Sequence, residues 1–234
     1  MLKTATTLLL LIFFTAFSPA LAEEHSALKP VPRSGGWMNR HESFNKRVAE
    51  GNVDLVFIGD SITQGWEGAG KGVWAEYYGK RNAVNLGIGG DRTQHVIWRL
   101  DNGNFKDITP KAAVIMIGTN NSGSNTSQEI ADGVTKIVEQ IRQKSPKTKI
   151  LLLAVFPRGA NKDDGRRKVN QGANQIFSKL DDGKHVHYLD IGSAFLDDDQ
   201  TLPRDIMPDL LHLSPQGYEI WAKSIEAKLA SLLK

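Results

Sequence analysis

Five short apolar runs punctuate the chain, at residues 54–59, 83–87, 112–118, 149–156 and 186–191, and amphipathic stretches separate them. Each run has the length of a strand and is rich in Val, Ile and Leu. Near-continuous apolarity, without polar alternation, predicts strands buried on both faces, as in a parallel sheet. The intervening stretches predict helices over 93–100, 127–144 and 165–180. Trp37, His41, Phe44 and Val48 recur at helical spacing and predict a first helix over 37–48. A last helix should start at Ser214-Pro215, a capping residue followed by proline at the first helical position, and carry Tyr218, Trp221, Ile225 and Leu229 on one face. Strands alternating with helices predict an α/β three-layer sandwich, a flavodoxin-like parallel sheet of about five strands. In such folds the site lies beyond the carboxyl ends of the strands. Residues just after the runs are therefore where chemistry is expected.

The chain ends change the picture more than its bulk composition does. Residues 1–22, MLKTATTLLLLIFFTAFSPALA, combine one lysine, an apolar stretch and a small-x-small end at Ala20-Leu21-Ala22. They read as a secretory signal peptide cut after Ala22, which predicts an exported protein, periplasmic or secreted. The other reading, an uncleaved anchor, is opposed by an apolar core short of the ~20 residues a span needs. Residues 23–36, polar and rich in Pro and Gly, are expected to be a flexible arm, and 37–234 one domain. No cysteine is present, which excludes disulfides, a thiolate zinc site and a lipid-modified N-terminal cysteine. A net charge of +3, with Lys and Arg spread among acids, argues against nucleic acid as a partner. After the leader no apolar stretch is long enough to span a membrane.

Small polar residues collect where the runs stop. The first run ends in Gly59-Asp60-Ser61, the second in Gly87-Ile88-Gly89-Gly90-Asp91, the third in Gly118-Thr119-Asn120-Asn121. Pro208-Asp209-Leu210-Leu211-His212-Leu213-Ser214 precedes the last helix. Each has an ordinary explanation: Gly-Asp-Ser as a turn, Gly89 and Gly90 as a tight turn with Asp91 capping the next helix, Asn120 as a turn residue, His212 as a loop histidine. Together they supply a hydroxyl, backbone amides, a side-chain amide, an imidazole and a carboxylate at one predicted rim. That is the inventory of acyl transfer. Serine is a poor nucleophile at neutral pH and needs a base, and the tetrahedral intermediate needs fixed donors for its oxyanion.

In order, Ser61 in GDS, Gly90 in GIGGD, Asn120 in GTNN and His212 in DLLH match the four blocks of the SGNH (GDSL) hydrolase superfamily, which this chain resembles. The stretches FIGDS, NLGIGGDRTQHVIWRLDNG, GTNN, PRG and DLLHLS are similar, within that superfamily, to the catalytic subunits of intracellular platelet-activating-factor acetylhydrolase. The resemblance runs from about Trp37 to the C-terminus. It implies Ser61 as nucleophile, His212 as general base and Asp209 as the group orienting the imidazole. It implies an oxyanion hole from the Ser61 and Gly90 N–H groups and the Asn120 side-chain amide. Asp60 is expected to organise the turn. No metal or cofactor is implied. A short acyl group, acetyl first, is, and so is pairing into a homodimer, although pairing surfaces do not carry over by motif. The substrate is expected to be a small-molecule, lipid or carbohydrate ester. The resembling subunits are intracellular while this chain carries a leader, so a lipid ester does not carry over directly.

Other chemistries fail on specifics. Arg92 stands where a dinucleotide fingerprint counted from Gly87 would need glycine, and G-x-S-x-G and H-E-x-x-H are absent. Asp197-Asp198-Asp199 reads as a solvated loop, and Trp66 and Trp74 as core or lid aromatics. Two alternatives share the fold: an acyltransferase using the same site, and a non-catalytic flavodoxin-like binding module.

Overall fold

The computed structural model describes residues 24–234. The expected leader over 1–22 lies outside them. Five parallel strands form one sheet in the order β2-β1-β3-β4-β5: β1 (Leu55–Gly59), β2 (Ala83–Gly87), β3 (Ala112–Met116), β4 (Lys149–Leu153) and β5 (Val186–Leu189). The chain steps from β1 outward to β2, then returns to the other side of β1 for β3. That reversal is the switch point at which open α/β sheets build their sites.

The period of the strands explains the three layers. Val56, Ile58, Ala113, Ile115, Ile150 and Leu152 point to one face and join one apolar cluster. Helices α1 (Gly36–Ala49), α4 (Thr93–Arg99), α5 (Ser127–Lys144) and α6 (Gly165–Phe177) supply that cluster with Trp37, Val96, Ile137 and Phe177 among others. Leu55, Phe57, Ala112, Val114, Leu151 and Leu153 point the other way. There they meet Trp66, Tyr78 and the buried face of α7 (Pro215–Leu232), namely Tyr218, Trp221, Ile225 and Leu229.

Local signals set the helix starts. α5 has a capping box, with Thr126 accepting from the Glu129 N–H and Glu129 accepting from the Thr126 N–H. α6 is capped by Asp164, and α7 by Ser214 with Pro215 at the first position. Two short helices, α2 (Ser61–Gln64) and α3 (Lys71–Tyr77), fill the segment after β1. Trp66 between them is 1% exposed and packs on Phe57, Tyr218 and Trp221, which makes it core.

The expected flexible arm lacks regular structure over 24–35, yet it is laid down on the body. Ala27 is fully buried and its carbonyl accepts from Thr93 Oγ1 at 2.8 Å. His25 Nε2 meets Asp132 Oδ2 at 3.1 Å, and Arg33 reaches the loop after β2. Pro and Gly at 30–36 deny the arm a helix, but they do not stop its side chains from docking. No helix among the described residues is long and apolar enough to cross a membrane.

Candidate active site

β1 must end on glycine. A Cβ on Gly59 would run into the Met116 carbonyl and Thr63. Asp60 then caps α2, its Oδ1 accepting from the Ile62 N–H at 3.0 Å. Ser61 is thereby the first helical residue, with its hydroxyl at the carboxyl edge of the sheet. The loop after β2 folds back on the same turn. The Ile88 N–H donates to the Gly59 carbonyl (3.2 Å), and the Gly89 N–H to Gln64 Oε1 (2.6 Å). Gly90 takes φ +76°, a left-handed conformation that costs glycine little. Arg33 Nη1 donates to the Gly89 carbonyl at 2.8 Å and holds this loop from the arm.

β3 brings Asn120 to the same rim. Its Nδ2 donates to the Asp91 carbonyl at 2.8 Å, which ties the loops after β2 and β3 together. Among the described residues neither the Ser61 nor the Gly90 N–H has an acceptor. With the second Asn120 Nδ2 hydrogen, three donors are available at one rim.

The loop before α7 brings His212 and Asp209 to the same rim. Leu210 sits at φ +63°, and its N–H donates to the Met207 carbonyl at 2.8 Å. Asp209 Oδ1 accepts from the Leu211 N–H (3.0 Å) and the His212 N–H (2.7 Å). This local turn accounts for the three-residue spacing: one carboxylate oxygen organises the loop while the other stays free for the ring. His212 Nδ1–H donates to Asp209 Oδ2 at 2.6 Å, and His212 Nε2 accepts from Ser61 Oγ at 2.8 Å, the tautomer that satisfies both partners. Partial burial raises the Asp209 carboxyl. The His212 hydrogen bonds and charge outweigh it and hold the group below the usual carboxylate range. A serine, imidazole and carboxylate so connected can pass the hydroxyl proton to Nε2 while the carboxylate supports the imidazolium. The His212 and Asp209 side chains are 44% and 56% exposed, so the site is open to solvent.

The GDSL-like lipase/acylhydrolase family model matches residues 57–220, from β1 into α7. The chain belongs to the GDSL-like lipase/acylhydrolase family. This acylhydrolase is accordingly a carboxylic ester hydrolase. It is 35% identical over 216 residues to human platelet-activating factor acetylhydrolase IB subunit alpha1, covering 90% of this chain and 92% of that one. A GDSL-like lipase from Bacteroides thetaiotaomicron superposes with a TM-score of 0.63 at 18% identity, covering 82% and 98% of the two chains. A variant of an acetylxylan esterase from Geobacillus stearothermophilus gives 0.61 at 20%, covering 75% and 93%. These two likenesses support the fold.

Asp91 and Asp60 of the acylhydrolase are both fully buried. Asp91 does not cap α4. It lies fully buried, accepting from Arg99 Nε at 2.9 Å and Trp37 Nε1 at 2.6 Å. His95 Nδ1 instead accepts from the Arg92 N–H at the start of α4. Burial, with Arg33, Arg92 and Arg99 around it, lowers the His95 pKa to about 4 and keeps the ring neutral. Asp60 does organise its turn, as expected, but at 0% exposure, and its Oδ2 has no hydrogen-bond partner among the described residues. Burial raises its pKa to about 7, with Asp91 adding to the shift and the Ile62 N–H and His212 opposing it.

The Asp60 shift has a sign that can be tested. An unfolded aspartic acid ionises near pH 4 and the folded one near 7, so between these values the folded state holds the extra proton. Stability then falls as pH rises through that window, by on the order of 4 kcal/mol in full, and levels off above it. Asp60→Asn keeps the oxygen that accepts from Ile62 and removes the titration. Urea midpoints at pH 4, 6 and 8 should show the variant gaining on the wild type across the window. A difference that does not change with pH would rule the burial argument out.

Proposed function

We propose that this acylhydrolase cleaves short-acyl esters, acetyl esters first, through a covalent acyl-enzyme. Ser61 attacks the ester carbonyl as His212 Nε2 takes its proton. The carbonyl oxygen becomes an oxyanion held by the Ser61 and Gly90 N–H groups and Asn120 Nδ2. Collapse expels the alcohol, which takes the proton back from His212. Water then repeats the sequence with His212 as base, and the acid and free Ser61 are regenerated. Asp209 keeps the imidazole in the tautomer the cycle needs. The observation that carries this reading is the continuous 2.8 Å and 2.6 Å relay from Ser61 through His212 to Asp209.

Acetyl preference draws on the relatives: one similar protein is named an acetylhydrolase and one similar structure an acetylxylan esterase. The exposure of His212 and Asp209 suits a bulky alcohol portion standing in solvent above a small acyl group. Export through the 1–22 leader is part of the proposal and rests on the sequence alone. It directs attention to esters outside the cytoplasm, carbohydrate acetates included.

The test is turnover of p-nitrophenyl esters from acetate to octanoate by residues 23–234. We expect kcat/KM to be highest for acetate and to fall steadily as the acyl chain grows. A maximum at octanoate would overturn the acyl assignment, and absence of turnover across the series would overturn the ester-hydrolase mechanism.

A further inference from the structure

Arg158 and Arg166 form a cationic pair beside the site that the hydrolytic cycle does not use. Arg158 follows β4, and its Nη1 donates to the Thr119 carbonyl (3.2 Å) and to Thr119 Oγ1 (3.1 Å), next to Asn120. The following residue, Gly159, donates its N–H to the Leu210 carbonyl at 3.0 Å, inside the Asp209–His212 loop. The Arg158 segment therefore bridges the loop with the oxyanion donor and the loop with the base. Arg166, near the start of α6, lays its guanidinium over Gly123 of the Asn120 loop. A Cβ on Gly123 would lie 3.3–3.5 Å from Arg166 Nη2, Cζ and Nε, nearly equal distances that describe a flat plane on the backbone.

Neither guanidinium is held by a direct ion pair: among the described residues no carboxylate lies within ion-pair distance of either. Arg158 is half-buried and bonded only to neutral acceptors, while Arg166 is exposed and makes no side-chain hydrogen bond among the described residues. Burial first, and then the like charge of Arg166, works against the charged form of Arg158. Asp164 is the first carboxylate to oppose this, and its Oδ1 is occupied by the Arg167 N–H. Asp60 and Asp209 act on Arg158 more weakly. Asp60 is buried and drawn toward its protonated form, and Asp209 is bonded to His212. Arg166 is thus an exposed guanidinium without an ion-pair partner among the described residues, lying on the same loop as Asn120. Its planar fork suits a carboxylate.

From this geometry we infer that Arg158 and Arg166 form a subsite for a carboxylate on the leaving alcohol, so that the preferred substrates are acetyl esters of acidic alcohols. The alcohol side is the one concerned because the Arg158 segment is hydrogen-bonded to the loop of His212, the residue that returns the proton to the leaving group. The inference rests on the ester-hydrolase reading above.

The experiment compares 4-acetoxybenzoate with its neutral methyl ester, methyl 4-acetoxybenzoate. The wild type should favour the anion in kcat/KM by about tenfold, mostly through KM, and added salt should shrink the advantage. In Arg166→Ala the anion-to-neutral ratio should fall towards one, and in Arg166→Glu it should invert. Arg158→Lys should lower it part-way, because a point charge replaces the fork. Lys223→Ala on α7, remote from the loops, should leave the ratio as in the wild type. A wild-type ratio near one, or a ratio unmoved by both Arg166 variants, overturns the subsite. Preference for 4-acetoxyphenyl phosphate over the carboxylate overturns its assignment to a carboxylate. If neither ester is turned over, the hydrolase reading falls separately. Titration with 4-hydroxybenzoate against methyl 4-hydroxybenzoate then still decides the subsite. Tighter binding of the anion, lost in Arg166→Glu, supports it, and equal binding overturns it.

Discussion

Ser61→Ala should lower kcat/KM for p-nitrophenyl acetate by roughly 10⁴- to 10⁶-fold while leaving the protein folded. The substitution removes one oxygen. Ser61 Oγ bonds to His212 Nε2, and that hydroxyl is not part of either apolar cluster. The cap that starts α2 belongs to Asp60, whose acceptor for the Ile62 N–H is untouched. Stability should therefore change by less than about 1 kcal/mol, the range for sites away from core and caps. Activity has no substitute route, because an acyl-enzyme needs a nucleophile at the atom His212 can deprotonate. The proposed oxyanion donors remain and should keep the residual rate above that of water. His212→Ala should cost a similar factor, and the double variant little more than either, since the two act as one unit. Steady-state assays on all three, with circular dichroism to confirm folding, check this. Activity of Ser61→Ala within tenfold of wild type would remove Ser61 from the role of nucleophile.

What the sequence made legible follows the range of the forces involved. The strands stood out because burial on both faces demands apolar runs, and the expected starts at 83, 112, 149 and 186 match those observed. The expected ends at 59 and 87 also match, while those of the last three runs lie beyond the observed strands. Ile117, Val155 and Phe156 are 1–3% exposed but lie beyond the strands, because apolarity reports burial and not ladder pairing. The short helices α2 and α3 escaped notice because Gly65, Gly68, Gly70 and Gly72 interrupt any helical period there. At the site, the local signals were readable: a serine after a strand, and a carboxylate and imidazole three residues apart in one loop. Long-range partners were not. Arg33 reaches Gly89 across 56 residues of sequence, and Trp37 reaches Asp91 across 54. A capping rule reads only the next turn, so it offers Asp91 as no more than a cap for α4. A buried carboxylate obeys a stronger demand, that of a charge needing a partner.

That demand sets the largest expected effect on stability. Asp91 and Arg99 are 0% and 1% exposed, joined by the 2.9 Å Nε–Oδ2 bond. Burial disfavours both charged forms, raising the carboxyl and lowering the guanidinium, and the pair is held by mutual attraction and added hydrogen bonds. Trp37 Nε1 donates to Oδ1, and Arg99 Nη1 donates to Asn104 Oδ1 at 2.6 Å. Asp91→Leu should strand the guanidinium at a cost of about 3–5 kcal/mol. Arg99→Met should cost somewhat less, because Arg33 Nη1 remains 3.6 Å from Asp91 Oδ1 as a half-exposed partner. The double variant should cost less than the sum, because the charges that each single change leaves unpaired are both gone. Urea unfolding read through the midpoint at constant m separates these cases. Additive losses, or single losses under about 1 kcal/mol, would show the pair to be solvated or replaceable. The same pair bears on the chemistry. The Asp91 backbone carbonyl holds Asn120 Nδ2, so the side chain that fixes Asp91 also fixes the amide proposed as an oxyanion donor. The double variant, even where it recovers stability, should therefore show a lowered kcat with little change in KM, since the Asn120 amide would be less well aimed at charge that develops only in the transition state.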